Sequence, residues 1–215
     1  MLIILDWDGT LADSRDLIVG AMCRSAEMLA LPIPKASAVA PLIGLGLPEA
    51  IDSLFPDASP SLREKFRHTY SENFVTASQQ QGATRFFPDV LDSLHALREN
   101  GHALSIATGK SRRGLDRVLA ADGIAALFVA TRAADETRSK PHPLMLQELL
   151  AETGTALSDA VMVGDTTYDM AMAESIGMSR IGVSYGVHTV DQLLAHDPVE
   201  ILDNFSALLD CAMLE

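Results

Sequence analysis

Asp6 and Asp8 stand two residues apart directly after the apolar run Leu2 to Leu5, with Gly9 and Thr10 behind them. In an extended chain an i, i+2 pair projects to a common side, and Gly9 allows a sharp turn without a Cβ penalty. Taken alone, the two acids could equally be ordinary loop residues. Other runs end in the same way. Thr108-Gly109 closes a second apolar run, Lys140 precedes a helix-like stretch, and Gly164-Asp165 closes another run with Asp169 four residues on. At a helix start that spacing keeps Asp165 and Asp169 near one another. At least three carboxylates, one hydroxyl and one ammonium are therefore expected together. Carboxylates so close repel unless a hard cation neutralises them, and oxygen ligands of this kind suit Mg²⁺. With Thr108 and Lys140 beside the acids, the pocket fits a phosphate dianion.

Convergence of these groups requires a particular scaffold. Short apolar runs at Leu2 to Leu5, Ala103 to Ala107, Ala126 to Ala130, Ala160 to Val163 and Arg180 to Val183 read as parallel strands buried on both faces. Helices starting near Pro88, Ser111, Pro143 and Thr166, and later near Thr189 and Asn204, would supply the crossovers. The fold class is α/β, a Rossmann-like doubly wound parallel sheet. Open sheets of that kind place ligands at the carboxyl ends of the strands, where the acids fall. Pro88 opens and Gly101 closes the Asp89 to Glu99 helix, each at a position that suits it.

Residues 14–83 break the alternation. They contain no convincing strand and read as amphipathic helices, the first capped by Asp13 or Ser14 with Leu17, Ile18, Met22, Met28 and Leu29 on its apolar face. Pro32 and Pro34 end it; further helices are expected from Pro48 to Phe55 and from Ser61 to Thr76. The expected organisation is a discontinuous core of 1–13 and 84–215 interrupted by an all-helical domain of 14–83.

A chain of 215 residues with 16 Lys and Arg against 29 Asp and Glu carries a formal charge of −13. Such a surface repels nucleic acid and anionic lipid, which leaves a small molecule as the expected partner. No apolar run approaches the roughly 18 residues needed to span a bilayer, and no basic leader precedes the first run, so a cytoplasmic protein is expected. Cys23 and Cys211 lie far apart and form no ligand spacing, which fits reduced thiols.

With these residues in place, the sequence resembles the haloacid dehalogenase-like phosphohydrolases. The D-x-D-G-T motif appears as Asp6-Trp7-Asp8-Gly9-Thr10, the strand-closing hydroxyl as Thr108, the lysine as Lys140 and the fourth motif as Gly164-Asp165-Thr166-Thr167-Tyr168-Asp169. The ordered set spans the chain and is similar above all to the phosphoglycolate phosphatase-like group, in which a helical cap follows the first motif. The resemblance implies that Asp6 is the nucleophile, that Asp8 is the acid and base, and that Lys140 orients Asp6. It further implies that Thr108 and the Gly109 amide bind phosphoryl oxygens. Mg²⁺ would be held by Asp6, the Asp8 backbone carbonyl and Asp165, with Asp169 in support. The implied substrate is a small phosphorylated metabolite, and the protein a monomer or homodimer.

Weaker signals are read as structural. Gly109-Lys110-Ser111 lacks the earlier glycine of a nucleotide-binding loop, since position 104 is Leu104. Lys110 reads as a solvated lysine at a helix start, His142 as a loop histidine, and Trp7 as a core residue pointing away from the acids. Gly44-Leu45-Gly46-Leu47 reads as a cap loop whose backbone amides could reach a small polar group, which favours a compact leaving group such as glycolate. Four other readings compete, one of them a catalytically dead interaction module, against which stands the presence of every motif residue. A dehalogenase would not need Asp8, and a sugar phosphate mutase would want basic residues between Lys35 and Arg63, where there are none. A phosphoacceptor receiver domain would carry its acids on different strands and no cap of about 70 residues.

Overall fold

The structure is a computed structural model and describes residues 1–214. Six parallel strands form one sheet: β1 (Leu2–Leu5), β2 (Ala103–Thr108), β3 (Phe128–Ala133), β4 (Ala160–Gly164), β5 (Ser179–Val183) and β6 (Glu200–Leu202). Their spatial order is β3-β2-β1-β4-β5-β6. β1 therefore lies between β2 and β4, and the register pairs Leu5 with Ile106 on one side and Val163 on the other. Equal register brings the residues after all three strands to one edge.

The α-helices of the described residues are α1 (Arg15–Met28), α2 (Ala36–Val39), α3 (Leu47–Leu54), α4 (Pro60–Gln81), α5 (Val90–Glu99), α6 (Arg112–Asp122), α7 (Leu144–Thr153), α8 (Thr167–Glu174) and α9 (Val190–Leu194), of which α5 to α9 pack on the strands. The period-2 rule sorts β1 cleanly. Ile3 and Leu5 join one apolar cluster with Leu94, Leu115 and Phe205, while Leu2 and Ile4 join another with Met145, Leu149 and Met172. β1 and β4, in the middle of the sheet, are buried on both faces and apolar throughout, as the short runs required, whereas β3, β5 and β6 carry polar residues towards the edges.

Helices α1 to α4 follow β1 and precede α5. Met22, Ala26, Val39, Ile51, Phe55 and Phe66 bury one another in a third cluster, separate from the two that line the sheet. Phe55 and Phe66 stack at 5.0 Å. This helical insert thus has an apolar interior of its own.

Several boundaries differ from expectation. β3 starts at Phe128, not Ala126, because Gly123 (φ 69) closes α6 and Ala125–Leu127 winds into a 3-10 turn before pairing with β2 begins. Asp89, in the left-handed region at φ 61, is the residue before α5, so Pro88 stands outside that helix. The segment after Asn204 is a 3-10 helix, with the Asn204 side chain accepting from the Ala207 amide. α4 continues to Gln81, Met28 is 55% exposed and off the apolar face, and the short elements α2 and β6 had no signal in the periodicity. Among the described residues no helix is long and apolar enough to cross a membrane.

Candidate active site

Asp6 continues β1 by one ladder bond, its amide donating to the Val163 carbonyl at 3.0 Å. Gly9 then turns the chain at φ 94. Lys140, buried in the connection from β3 to α7, donates from Nζ to Asp6 Oδ1 and to Asp169 Oδ1, both at 2.6 Å. Asp169 owes its position to the start of α8. Thr166 caps the helix, and its amide and hydroxyl donate back to Asp169 Oδ2 at 3.1 and 2.6 Å. Asp165 is fixed differently, accepting from the Thr10 hydroxyl at 3.0 Å and the Val187 amide at 2.7 Å. A Cβ on Gly9 or on Gly186 would run into Asp165. The two glycines form a cradle for that carboxylate.

One carboxylate oxygen each from Asp6, Asp165 and Asp169 lies within 4.8 Å of the other two. All three residues and Lys140 are buried. Burial pushes the Asp6 carboxyl well above the usual carboxylate range; the Lys140 charge opposes this, and the charges of Asp169 and Asp165 add to it. Asp165 is pushed up to about 7, first by burial and then by Asp169. Burial alone would lower the Lys140 ammonium, yet the charges of Asp169 and Asp6 outweigh it and hold the group protonated. Ionised together, three carboxylates against one ammonium leave two negative charges in excess. Asp6 Oδ2, moreover, is buried without a hydrogen-bond partner. An oxygen donor set with that excess charge fits a divalent cation.

Asp8 points elsewhere. Its Oδ1 accepts from the Ser14 hydroxyl at 2.5 Å and from Lys110 Nζ at 2.8 Å. Ser14 precedes α1 as its cap residue but spends its hydroxyl on Asp8 and makes no side-chain cap bond. Lys110 is not a solvated helix-start lysine: its side chain is 9% exposed, and the ammonium stands 5.0 Å from the centre of the Phe74 ring on α4. The pairing with Asp8 is what draws it inward. Thr108 is fully buried, its hydroxyl accepting from the Lys110 amide at 3.2 Å. Trp7 packs away from the acids, edge-on to Phe86 at 5.9 Å. His142 is a loop residue in contact with Arg138.

The loop of the helical insert meets the sheet edge directly. A Cβ on Gly109 would collide with the backbone carbonyls of Gly44 and Leu45, and Gly44 itself (φ 104) faces Thr166 and Tyr168. The Gly46 amide donates to Ser139 Oγ at 2.7 Å. The Pro41 carbonyl accepts from Tyr168 at 2.9 Å and faces His188 Nε2 at 3.1 Å. Since His188 Nδ1 accepts from the Thr167 amide, Nε2 carries the ring proton and is the donor to Pro41. Sequence reasoning missed Tyr168 and His188 in this role, and no spacing marked them. Between insert and core a cavity of about 950 Å³ opens onto Asp8, Gly109 and Lys110.

Comparison with known proteins agrees with the geometry. The haloacid dehalogenase-like hydrolase family matches residues 3–183. A probable phosphatase IndB from Dickeya dadantii is 34% identical, the match covering 98% of this chain and 93% of that one. A phosphoglycolate phosphatase from Vibrio parahaemolyticus is 27% identical over 97% of this chain and 94% of its own. Among solved structures, a predicted phosphoglycolate phosphatase from Haemophilus somnus superposes with a TM-score of 0.85 at 25% identity, covering 97% of this chain and 96% of that chain. The chain belongs to the haloacid dehalogenase-like hydrolases, and its relatives place it among their phosphatases.

Proposed function

We propose that this chain is a Mg²⁺-dependent phosphatase that hydrolyses a small phosphate monoester through a phosphorylated Asp6. The observation that carries this reading is the split environment of one carboxylate. Asp6 Oδ1 is pinned by Lys140, while the buried Oδ2 has no partner. A nucleophile needs one free oxygen held at a fixed angle, and this is how Asp6 is arranged.

In the first half-reaction Asp6 Oδ2 attacks phosphorus, the ester P–O bond breaks, and the departing oxygen takes its proton from Asp8. In the second, Asp8 takes a proton from water as the water oxygen attacks phosphorus. Inorganic phosphate leaves and Asp6 is restored. Such acid and base assistance is typically worth about 100- to 10,000-fold. Thr108 and the Gly109 amide serve as donors to phosphoryl oxygens, Lys140 orients Asp6, and Asp169 holds Lys140 in turn. Mg²⁺ would be held by Asp6, Asp165 and the backbone carbonyl of Asp8, where it supplies charge neutralisation between phosphate and carboxylate.

In this reading residues 14–83 form a cap over a core of 1–13 and 84–215. A mutase remains the alternative within the family, and a receiver-like phosphoacceptor the alternative outside it. Turnover of p-nitrophenyl phosphate with Mg²⁺ separates them. Many turnovers per chain, abolished in Asp6→Asn, support a phosphatase; a single phosphorylation event per chain would refute it. Transfer of phosphate between sugar positions without release of inorganic phosphate would favour the mutase.

A further inference from the structure

The cavity beside Asp8 is larger than the smallest candidate leaving groups need, and one of its walls is apolar. About 950 Å³ lies between insert and core, and cavities of roughly 300–1,000 Å³ accommodate drug-sized ligands. This space does not arise from a lifted insert. Gly46 bonds Ser139, Tyr168 bonds Pro41, and the Lys110 ammonium rests over Phe74, so the insert is seated on the core on both sides of the cavity.

Its lining is divided by chemistry. The insert contributes Ile18, Met22, Val39, Leu42, Leu47 and Leu54 as an apolar wall. At the reacting end stand Asp8, Lys110 and Tyr70. Tyr70 differs from the other two tyrosines. The Tyr168 hydroxyl donates to Pro41 and the Tyr185 hydroxyl to Thr10, whereas burial and the nearby Asp8 charge, with no hydrogen bond, act on the Tyr70 phenol. A half-buried hydroxyl without a protein acceptor, facing a cavity, is suited to a ligand acceptor.

We infer, on the reading that the chain is a phosphatase, that its substrate is the phosphate ester of a ring-bearing alcohol, with the ring against the apolar wall and an acceptor near the ester facing Tyr70. A two-carbon acid such as glycolate would leave that wall to water. The inference departs from the compact leaving group suggested by the loop glycines alone. Burial of a ring against aliphatic side chains should raise kcat/KM by about 10- to 100-fold over an ester lacking it.

The test compares ethyl phosphate, 2-phosphoglycolate and 2-phenylethyl phosphate on the full chain with Mg²⁺. These are primary alkyl esters, so a difference in rate reflects the body of the alcohol more than its ability to leave. The expected result is a kcat/KM for 2-phenylethyl phosphate at least about tenfold above both others, with the ratio to ethyl phosphate reduced about tenfold in Leu54→Trp, which fills the wall. Tyr70→Phe, a smaller perturbation, is the second variant. It should lower kcat/KM for a ring ester bearing an acceptor next to the ester carbon by a larger factor than for 2-phenylethyl phosphate, and equal losses for the two would show that the Tyr70 hydroxyl does not meet such an acceptor. Equal rates for all three esters, or a preference for 2-phosphoglycolate, would overturn the inference while the phosphatase reading stands. If none of the esters nor p-nitrophenyl phosphate is turned over, both fall together.

Discussion

The Lys110 ammonium lies 2.8 Å from Asp8 Oδ1, and the two side chains shield one another so that each is about one-tenth exposed. Lys110 follows β2 and the Thr108-Gly109 pair, whereas Asp8 follows β1, so the contact is set by the register of two adjacent strands. With Ser14 on the same oxygen, Asp8 is held by one residue of the core and one at the entrance to the insert.

Lys110→Met should therefore loosen Asp8 without touching Asp6. We expect kcat for an alkyl phosphate to fall by about 10- to 100-fold, within the range typical of proton-transfer assistance. The fall for p-nitrophenyl phosphate, whose leaving group scarcely needs a proton, should be much smaller. Comparing the two substrates in steady-state kinetics checks the point; equal losses would mean that Lys110 acts on binding or folding and not on Asp8.

Lys140 compensates two buried carboxylates at once. Removing one partner of a buried ion pair typically costs about 3–5 kcal/mol, and Lys140→Met should destabilise the protein by that order in the presence of a chelator. Mg²⁺ should restore part of the loss. Urea unfolding with chelator and with excess Mg²⁺ measures both quantities, and the absence of any Mg²⁺ effect would move the cation away from these acids.

Asp165→Ala should chiefly weaken Mg²⁺ binding. Its carboxylate is one of the three whose oxygens converge, and it has no other charged partner within bonding distance. Calorimetric titration should show a loss of affinity of at least about tenfold, since even mutation of a ligand's hydrogen-bond partners costs about 10- to 100-fold, with the thermal transition of the metal-free protein retained.

Gly109→Ala should separate the insert from the core, because the added Cβ points at backbone carbonyls of Gly44 and Leu45, which cannot rotate away as a side chain would. The expected outcome is a fall in kcat/KM of about tenfold or more, comparable to other losses of positioning, with far-ultraviolet dichroism unchanged. Gly46→Ala, whose nearest obstacle is the end of the flexible Glu49 side chain, should be milder. The reverse order would show that the contact with Gly109 does not set the seat of the insert.

Stability in acid should report on Glu136. Its hydrogen bond from Arg112 holds its carboxyl below the usual value of 4.5. A depressed native value means that the stabilisation is complete above about 4.5 and is lost as pH falls through the lower native value. The side chain is 38% exposed, so solvent screening limits the effect to about 1 kcal/mol or less. Wild type and Glu136→Gln should differ by that amount at pH 7, and the difference should shrink as pH falls below 4.5 in urea unfolding.

The sheet and the acid cluster were legible because both obey local rules. Apolar runs as short as Leu2 to Leu5, bounded by turn residues, favour buried strands over helices, and acids at their ends meet once the register is parallel. Contacts made between the insert and the core were not legible. Lys110 reads as solvated until Asp8 and Phe74 are seen around it, and nothing near Tyr168 or His188 in the chain announces that both reach Pro41, 127 and 147 residues away. Nor does Tyr70 stand out, since its significance is a bond it does not make. β3 slipped by two residues because Ala125 to Leu127 is as apolar as the strand that follows.

The separate apolar interior of α1 to α4 bears on how such a protein can change over generations. β1, which delivers Asp6, is clamped by neighbours on both sides, so its amides should be among the slowest to exchange with deuterium, and few substitutions there would be survivable. The insert keeps its own packing around Phe55 and Phe66, and the wall residues Leu47 and Leu54 lean on that packing and not on the sheet. Residues such as Leu47 and Leu54 can therefore drift without disturbing the phosphoryl end. A lineage built on this plan can acquire new alcohols by altering one wall while inheriting the chemistry intact.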